Sequence, residues 1–387
     1  MIIGEFSDVF PPELDGVGAV VRAYAEELTR AGDECYYIAP YGVPAQPLAC
    51  RTLLYRSVKV PREAYSFGLP AADPAFRRAL DAIPFQLAHA HSPFTAGHAA
   101  LHLARSRGIP LVGTFHSKYY DDFLKVTRSA PLARQLTRQV VRFYEQCDAV
   151  WAVNHATGDV LRSYGYTGEI QVMENGTNPW TPTQAERDGA SARFSLTDNA
   201  PVLLFVGQIN WKKNLRCVLT AAAQYAQTHP MQLVLAGQGS DESAVRALAE
   251  SLGIADRTVF TGHIADRALL RGLYARADLF LFPSLYDNAP MVVREAAASG
   301  MPSIVVRGSC AAESITDGDN GFLCADDPAD LCRTIVRALP DAAAVGRRAQ
   351  ATIPVPWPVL IRSVRAQYRS LIDAAQKSAP KPKDSPL

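Results

Sequence analysis

The chain has 387 residues, of which 48% are apolar and 20% charged, with a formal net charge of +1. That length exceeds one comfortable hydrophobic core and suits two domains of ordinary size. A near-neutral balance lacks the concentrated positive footprint that a nucleic-acid backbone requires, so no nucleic-acid partner is expected.

The chain opens with Met1-Ile2-Ile3-Gly4-Glu5-Phe6-Ser7-Asp8, where acids at 5 and 8 interrupt the apolar run and no basic segment precedes it. It reads as a first strand and not as a secretory leader. Strands are expected at 2–6, 34–39, 87–91, 111–115, 149–153 and 170–173, separated by amphipathic stretches such as 18–31, where Val21, Ala25 and Leu28 share a face. A polar, proline-containing stretch over 178–199 reads as a linker. The rhythm resumes with strands at 202–207, 232–236, 258–261, 279–282, 303–306 and 322–324. Apolar strands alternating with helices predict parallel sheets covered on both faces, with ligands at the carboxyl ends of the strands. Three prolines in 353–358 precede a helical spacing of Leu360, Val364, Tyr368 and Leu371, which predicts a helix over 359–375. The expected division is a first domain at 1–177, a linker at 178–200, a second domain at 201–356 and a disordered tail at 377–387. Seven cysteines without C-x-x-C spacing read as reduced thiols of a cytoplasmic protein, and no window approaches a transmembrane length.

Candidate chemistry gathers where strands give way to helices. Gly16-Val17-Gly18 lies between the first strand and a helix, where backbone can approach a ligand and helix amides can meet an anion; ordinary turn chemistry is the alternative. In the second half Gly207-Gln208-Ile209-Asn210-Trp211-Lys212-Lys213-Asn214 puts two lysines at the start of a helix, the end that disfavours cations. An anionic ligand or a solvated pair accounts for that. Farther on, Asp287-Asn288-Ala289-Pro290-Met291 starts a helix, with Asn288 as its expected N-cap and Glu295 two turns in. An acid among Val292, Val293 and Ala296 wants a partner, either a ribose hydroxyl pair or an arginine such as Arg294 or Arg307. His89, His91 and His116 close or follow strands; no acid or cysteine joins them locally, so no metal is expected.

These residues resemble the retaining, nucleotide-sugar-dependent glycosyltransferases of the family 4 type. The resemblance covers about residues 1–372. It is strongest from Pro283-Ser284-Leu285-Tyr286-Asp287 through Glu295-Ala296 and Gly300-Met301-Pro302, which matches the family's E-x7-E element. Gly207-Gln208-Ile209 with Lys213 matches its Gly-Arg-Leu-x-x-x-Lys loop, Thr114-Phe115-His116-Ser117 its sugar-contacting histidine segment, and Asn320-Gly321 a turn before a strand. The resemblance implies the GT-B fold: two Rossmann-like, doubly wound α/β domains facing a cleft, with the C-terminal helix crossing back to the first. It implies a nucleoside diphosphate sugar as donor, steadied by Lys213 and the Gly16 and Gly18 amides. It further implies that His116 holds the sugar and Glu295 the ribose, with Asp287 and the backbone of Asn288, Ala289, Pro290 and Met291 facing sugar and phosphate. No cofactor or metal is implied. Two departures stand out: Gln208 replaces a phosphate-binding arginine, and Asp287 is one methylene shorter than the usual glutamate.

The acceptor is expected on the first domain, as a lipid or glycan hydroxyl. His89-Ala90-His91-Ser92-Pro93-Phe94 and Thr114 to Tyr120 look similar to bacterial diacylglycerol glucosyltransferases. Two basic stretches lack acids: 51–62, with Arg51, Arg56, Lys59 and Arg62, and 125–142, where Arg134, Arg138 and Arg142 make one helical stripe. An anionic membrane on the inner face of the cell and plain solvent suit that stripe equally. A non-catalytic nucleotide-sugar-binding scaffold, suggested by Gln208, and a GT-B epimerase are the alternatives.

Overall fold

The structure is a computed structural model and describes residues 1–10, 16–42, 47–59 and 66–378. The chain divides into two compact units: unit 1 holds Met1–Asn175 with Trp357–Leu387, and unit 2 holds Gly176–Pro356.

Unit 1 runs β1 (Ile2–Phe6), α1 (Gly16–Arg30), β2 (Glu34–Pro40), β3 (Arg51–Tyr55), β4 (Ser57–Lys59), β5 (Ser66–Gly68), α2 (Pro74–Ala82), β6 (Leu87–Ala90), α3 (Thr95–Arg107), β7 (Leu111–Phe115), α4 (Tyr119–Thr127), α5 (Ala130–Tyr144), β8 (Ala149–Ala152), α6 (His155–Ser163) and β9 (Gln171–Val172). Seven strands form one parallel sheet in the order β3-β2-β1-β6-β7-β8-β9, and β4 pairs antiparallel with β5. The strands β6 and β7 are buried along their whole length, as expected when both faces carry helices. Val21, Ala25 and Leu28 of α1 are fully buried on one face, as their spacing predicts.

Unit 2 runs α7 (Gln184–Phe194), β10 (Val202–Val206), α8 (Leu215–Ala226), β11 (Gln232–Ala236), α9 (Glu242–Ser251), β12 (Thr258–Gly262), α10 (Arg267–Arg276), β13 (Leu279–Phe282), α11 (Met291–Ala298), β14 (Ser303–Val306), β15 (Phe322–Cys324), α12 (Pro328–Ala338) and α13 (Ala342–Thr352). Its six-stranded parallel sheet has the order β12-β11-β10-β13-β14-β15. Leu203, Phe205, Phe280 and Phe282 are its fully or almost fully buried centre.

The stretch over 178–199 is not a bare linker. It contains α7, which starts in a capping box between Thr183 and Glu186 and packs on α10. Gly272 permits that contact, since a Cβ there would lie 2.1 Å from the Glu186 carbonyl oxygen. The last helix, α14 (Trp357–Ser378), belongs to unit 1. Leu360, Val364, Tyr368 and Ile372 are its buried stripe, each contributing roughly 1.5–3 kcal/mol of gross hydrophobic stabilisation. Arg365 adds an ion pair to Asp33 at 2.7 Å, where the chain's amino terminus also binds at 2.8 Å. Most of the tail expected at 377–387 lies outside the described residues, while Lys377 and Ser378 still belong to α14.

Candidate functional site

Strand order reverses once in each sheet, between β1 and β6 in unit 1 and between β10 and β13 in unit 2. At such a switch point the loops leaving the carboxyl ends diverge, and ligands of doubly wound folds settle there. Gly16, Gly18, His91, Gln208, Lys213 and Asp287 follow the strands at these two places, whereas His116 follows the neighbouring β7 and Asn320 precedes β15.

In unit 2, Gly207 follows β10 with φ +156°, and the chain turns through Trp211, Lys212 and Lys213 to Asn214, which is left-handed at φ +59° and opens α8. The loop after β10 is tied to the loop after β13. Lys213 Nζ meets Asp287 Oδ1 at 2.5 Å, Ser284 Oγ donates to Asp287 Oδ2 at 2.6 Å, and Asn214 Nδ2 donates to the Pro283 carbonyl at 3.1 Å. Lys212 Nζ stands 4.0 Å from the centre of the Tyr286 ring. Thus both lysines have partners on the neighbouring loop. Gln208 is exposed and accepts a hydrogen bond from Asn210 Nδ2 at 3.1 Å. Arg307 stands 3.6 Å from Asp317.

The helix α11 starts at Met291 with Pro290, not Asn288, in the N-cap position, because Pro290 itself is still extended at ψ 114°. Asn288, Ala289, Pro290 and Met291 are half-buried ahead of a helix N-terminus, which supplies amide donors and positive potential. Glu295 accepts from the Tyr274 hydroxyl at 3.1 Å and approaches Arg267 at 3.4 Å, so its protein partners are neither Arg294 nor Arg307. Burial first, and the Glu295 charge second, push the Tyr274 hydroxyl well above its ordinary pKa, which keeps it a donor. Buried Asn320 closes the turn before β15 by accepting from the Thr316 amide and donating to the Ser314 carbonyl.

A further loop, Gly237-Gln238-Gly239 after β11, is one that the sequence pattern did not single out. A Cβ on Gly237 would lie 1.9 Å from the Gly207 carbonyl oxygen, and one on Gly239 would lie 2.3 Å from that of Ile209. The Ile209 amide donates to the Gln238 carbonyl at 3.1 Å. Only glycines allow the two loops this approach, and the x-G-x-G-x pattern after an apolar strand was the available signal.

In unit 1, Gly16 and Gly18 are the first helical residues of α1 and not a turn ahead of it; Gly16 is exposed and Gly18 buried. The chain immediately before them, 11–15, lies outside the described residues. His116 follows β7 and is 7% exposed. It joins a polar cluster that the sequence did not assemble. Glu5 of β1 is fully buried; His91 Nε2 meets its Oε2 at 2.7 Å, and His91 Nδ1 meets His116 Nε2 at 3.1 Å. Tyr368 of α14 donates to Glu5 Oε1 at 3.0 Å and meets His89 Nδ1 at 2.5 Å, while His89 Nε2 meets Thr114 Oγ1 at 2.7 Å. Burial alone would push the Glu5 carboxyl up; the charges and hydrogen bonds of His89 and His91 outweigh that and hold it down to about 2. Burial, with His89 beside it, pushes His91 down to about 4 against the pull of Glu5, and burial likewise keeps His116 well below the ordinary histidine range. An acid does therefore join His89 and His91, from a strand more than eighty positions away, and ligand atoms of Glu5, His89 and His91 lie within 4.8 Å of one another. Each of these atoms is already hydrogen-bonded within the protein.

Of the basic stretch at 51–62, Arg51 is paired to Glu34 at 2.6 Å across β2 and β3, and Arg62 lies outside the described residues. The stripe of Arg134, Arg138 and Arg142 is exposed along α5, whose opposite face buries Ala133, Thr137, Val140 and Val141. No described helix is long and apolar enough to cross a membrane.

Two parallel sheets, each with charged or polar residues at a switch point, define a doubly wound two-unit α/β protein. Its solved structural neighbours include sucrose-phosphate synthase of Thermosynechococcus elongatus, with a TM-score of 0.79, 23% identity and coverage of 96% of this chain and 99% of that one. The fold is GT-B. Residues 14–180 match the family described as Glycosyltransferase Family 4 and residues 187–352 that described as Glycosyl transferases group 1; the chain is a glycosyltransferase built of these two domains. Among its relatives, the alpha-monoglucosyldiacylglycerol synthase of Streptococcus pneumoniae is 25% identical over 319 residues, 79% of this chain and 70% of that one. The glycogen synthase of Mycobacterium tuberculosis is 30% identical over 267 residues, 68% of this chain but 62% of that one.

Proposed function

We propose that this glycosyltransferase moves a hexosyl group from a nucleoside diphosphate sugar to a hydroxyl of a lipid or glycan, with retention of anomeric configuration. The observation that carries the proposal is the Lys213–Asp287 contact at the unit 2 switch point, where a lysine only 14% exposed is held against the loop that leads into α11. A cation fixed in a low-dielectric crevice is preorganised for an anion whose charge grows during the reaction.

In this reading Lys213 and the amides of Asn288, Ala289 and Met291 take the diphosphate, with Pro290 shaping the turn between them, and Glu295 takes the ribose hydroxyls. Gln208 contributes a neutral hydrogen-bonding group in place of a second cation, and Lys212 follows nearby in the same loop to offset the missing charge. In unit 1 the α1 N-terminus at Gly16 and Gly18 meets phosphate, and His116 holds a sugar hydroxyl. As the sugar–phosphate bond breaks, negative charge moves onto the diphosphate and Lys213 stabilises it. Neither Asp287 nor Glu295 is assigned a covalent role, and the chemistry proposed uses no metal.

The acceptor classes follow the names of the two relatives, one a diacylglycerol glycolipid and the other glycogen. A lipid acceptor is supported by α4 and α5, where Leu124, Val126 and Leu132 are exposed beside exposed Lys125, Arg134 and Arg138. Apolar side chains among cations suit a surface lying on anionic lipid. The test is a panel of UDP, GDP and ADP hexoses with diacylglycerol and glucan acceptors, read as released nucleotide. Acceptor-dependent release from at least one donor is the expected result. Donor binding without any such release would point to the scaffold that the neutral Gln208 suggests.

A further inference from the structure

The amino ends of the unit 2 strands, opposite the switch point, carry two polar cavities. One of 430 Å³ lies before β11 and β12, and one of 770 Å³ lies before β10 and β13. They meet at the turn that carries Asn199 and Ala200, so together they make one groove. Strand β10 has five residues, which separates the groove from the switch point by roughly 15 Å. The geometry points to this groove as a second binding site of the chain, one that holds a neutral oligosaccharide.

Its charges select against other ligands. Arg187, Arg257 and Arg276 face four aspartates across the two cavities, so an ion of either sign meets repulsion as well as attraction. A lipid would strand these charges without water or partner. A neutral ligand whose hydroxyls both donate and accept suits the two signs at once.

His229 supplies the flat surface that a sugar ring needs for its C–H face. Its exposed side chain stacks on buried Tyr225 at 4.6 Å between centroids, with 16° between the planes, and Thr228 Oγ1 meets its Nδ1 at 2.8 Å. The surrounding frame is held by the protein itself. Gln232 accepts from the Thr197 amide at 2.8 Å and donates to the Ser195 carbonyl at 3.3 Å, while Arg257 donates to the Ala226 carbonyl at 3.2 Å. Within that frame the Asp256 carboxylate and the Arg187 guanidinium have no side-chain partner among the described residues. Charged groups with unspent hydrogen bonds, beside a fixed planar ring, are suited to grip the hydroxyl rim of a sugar.

A sugar held at the amino ends is not the sugar that reacts at the switch point. The groove therefore anchors a glycan along its length, which favours a long acceptor and leaves a short one unaffected. This use rests on the glycan arm of the proposed function; the binding itself does not.

Native electrophoresis of the full chain in gels containing glycogen, dextran or galactomannan tests the binding with no donor present. At least one of these neutral polymers should retard the wild type. His229→Ala should weaken that retardation about 3- to 10-fold and Asp256→Ala about 10-fold, and the double variant should migrate as in a plain gel. Both side chains are exposed, so the fold should survive; if the double variant does not fold, the single ones decide. No retardation by any neutral polymer, retardation by dextran sulfate alone, or retardation undiminished in the folded variants would each overturn the inference. With glycan acceptors, the double variant should raise KM for the polymer about 10-fold while kcat and the KM of a disaccharide stay at wild-type values; an unchanged polymer KM would overturn the anchoring role. Absence of turnover with every donor would count against the proposed reaction, while the gels would still judge the groove.

Discussion

Glu295 meets two side chains, Arg267 and Tyr274, and their surroundings rank them. Its Arg267 partner is 71% exposed, so that pair is worth little, whereas the Tyr274 hydroxyl is buried and constant. The Tyr274 hydroxyl thus orients the carboxylate that the proposed function gives to the ribose. Glu295→Ala should weaken donor binding by about 1.5–3 kcal/mol, or roughly 10- to 150-fold, as loss of a charge-assisted hydrogen bond. Calorimetric titration of the folded variant with the preferred donor checks this, and unchanged affinity would assign Glu295 to Tyr274 and Arg267 alone. The conflict between chemistry and helix pattern at Glu295 and Lys213 was visible in the sequence, while their protein partners Tyr274, Arg267 and Asp287 were not. Single residues were hidden where partners arrive from distant strands. Glu5 read as a charge interrupting an apolar run, and only the adjacency of β1 to β6 makes it the acceptor for His91.

Elements were legible in proportion to how continuously they are buried. The fully buried strands β7 and β13 match their expected limits, because an unbroken apolar run between helices has few other uses. The edge strand β3 was missed, since only its last residue is buried and its first two are exposed. Similarly α7 hid in a polar stretch: only Ala190 and Phe194 are buried on it, so its amphipathic signal is slight. The helix α5 shows the opposite case, a strong apolar face below an exposed row of Arg134, Arg138 and Arg142. Neutralising all three should reduce association with anionic vesicles, at about 1 kcal/mol per contact and less at high salt. Co-sedimentation equal to that of wild type would leave the row as solvated surface.

At the scale of the whole molecule, two sheets of the same construction carry different electrostatics. The switch point of unit 1 carries the buried chain of His91 and His116 on the Glu5 carboxylate, and that of unit 2 carries Lys213 paired with Asp287. The first imposes a pH dependence on stability. Between pH 6.5 and about 4 the unfolded chain protonates His91 while the folded chain refuses the proton, so stability falls as pH falls, by about 3 kcal/mol from this group; His116 acts in the same direction. Glu5 adds stability that is complete above its unfolded pKa near 4.5 and is lost as pH drops towards 2. Thermal melts should therefore show a steep drop from pH 7 to pH 4.5, and equal midpoints would contradict the buried neutral chain. The switch point of unit 2 bears the central claim, that Lys213 stabilises a departing diphosphate. Steady-state kinetics of Lys213→Ala, with folding verified because Asp287 loses its partner, tests it most directly. With saturating acceptor, kcat should fall about 30- to 1000-fold, the roughly 2–4 kcal/mol of one preorganised electrostatic contact, with a smaller change in donor KM. A folded variant with kcat and donor KM both unchanged would remove Lys213 from the reaction.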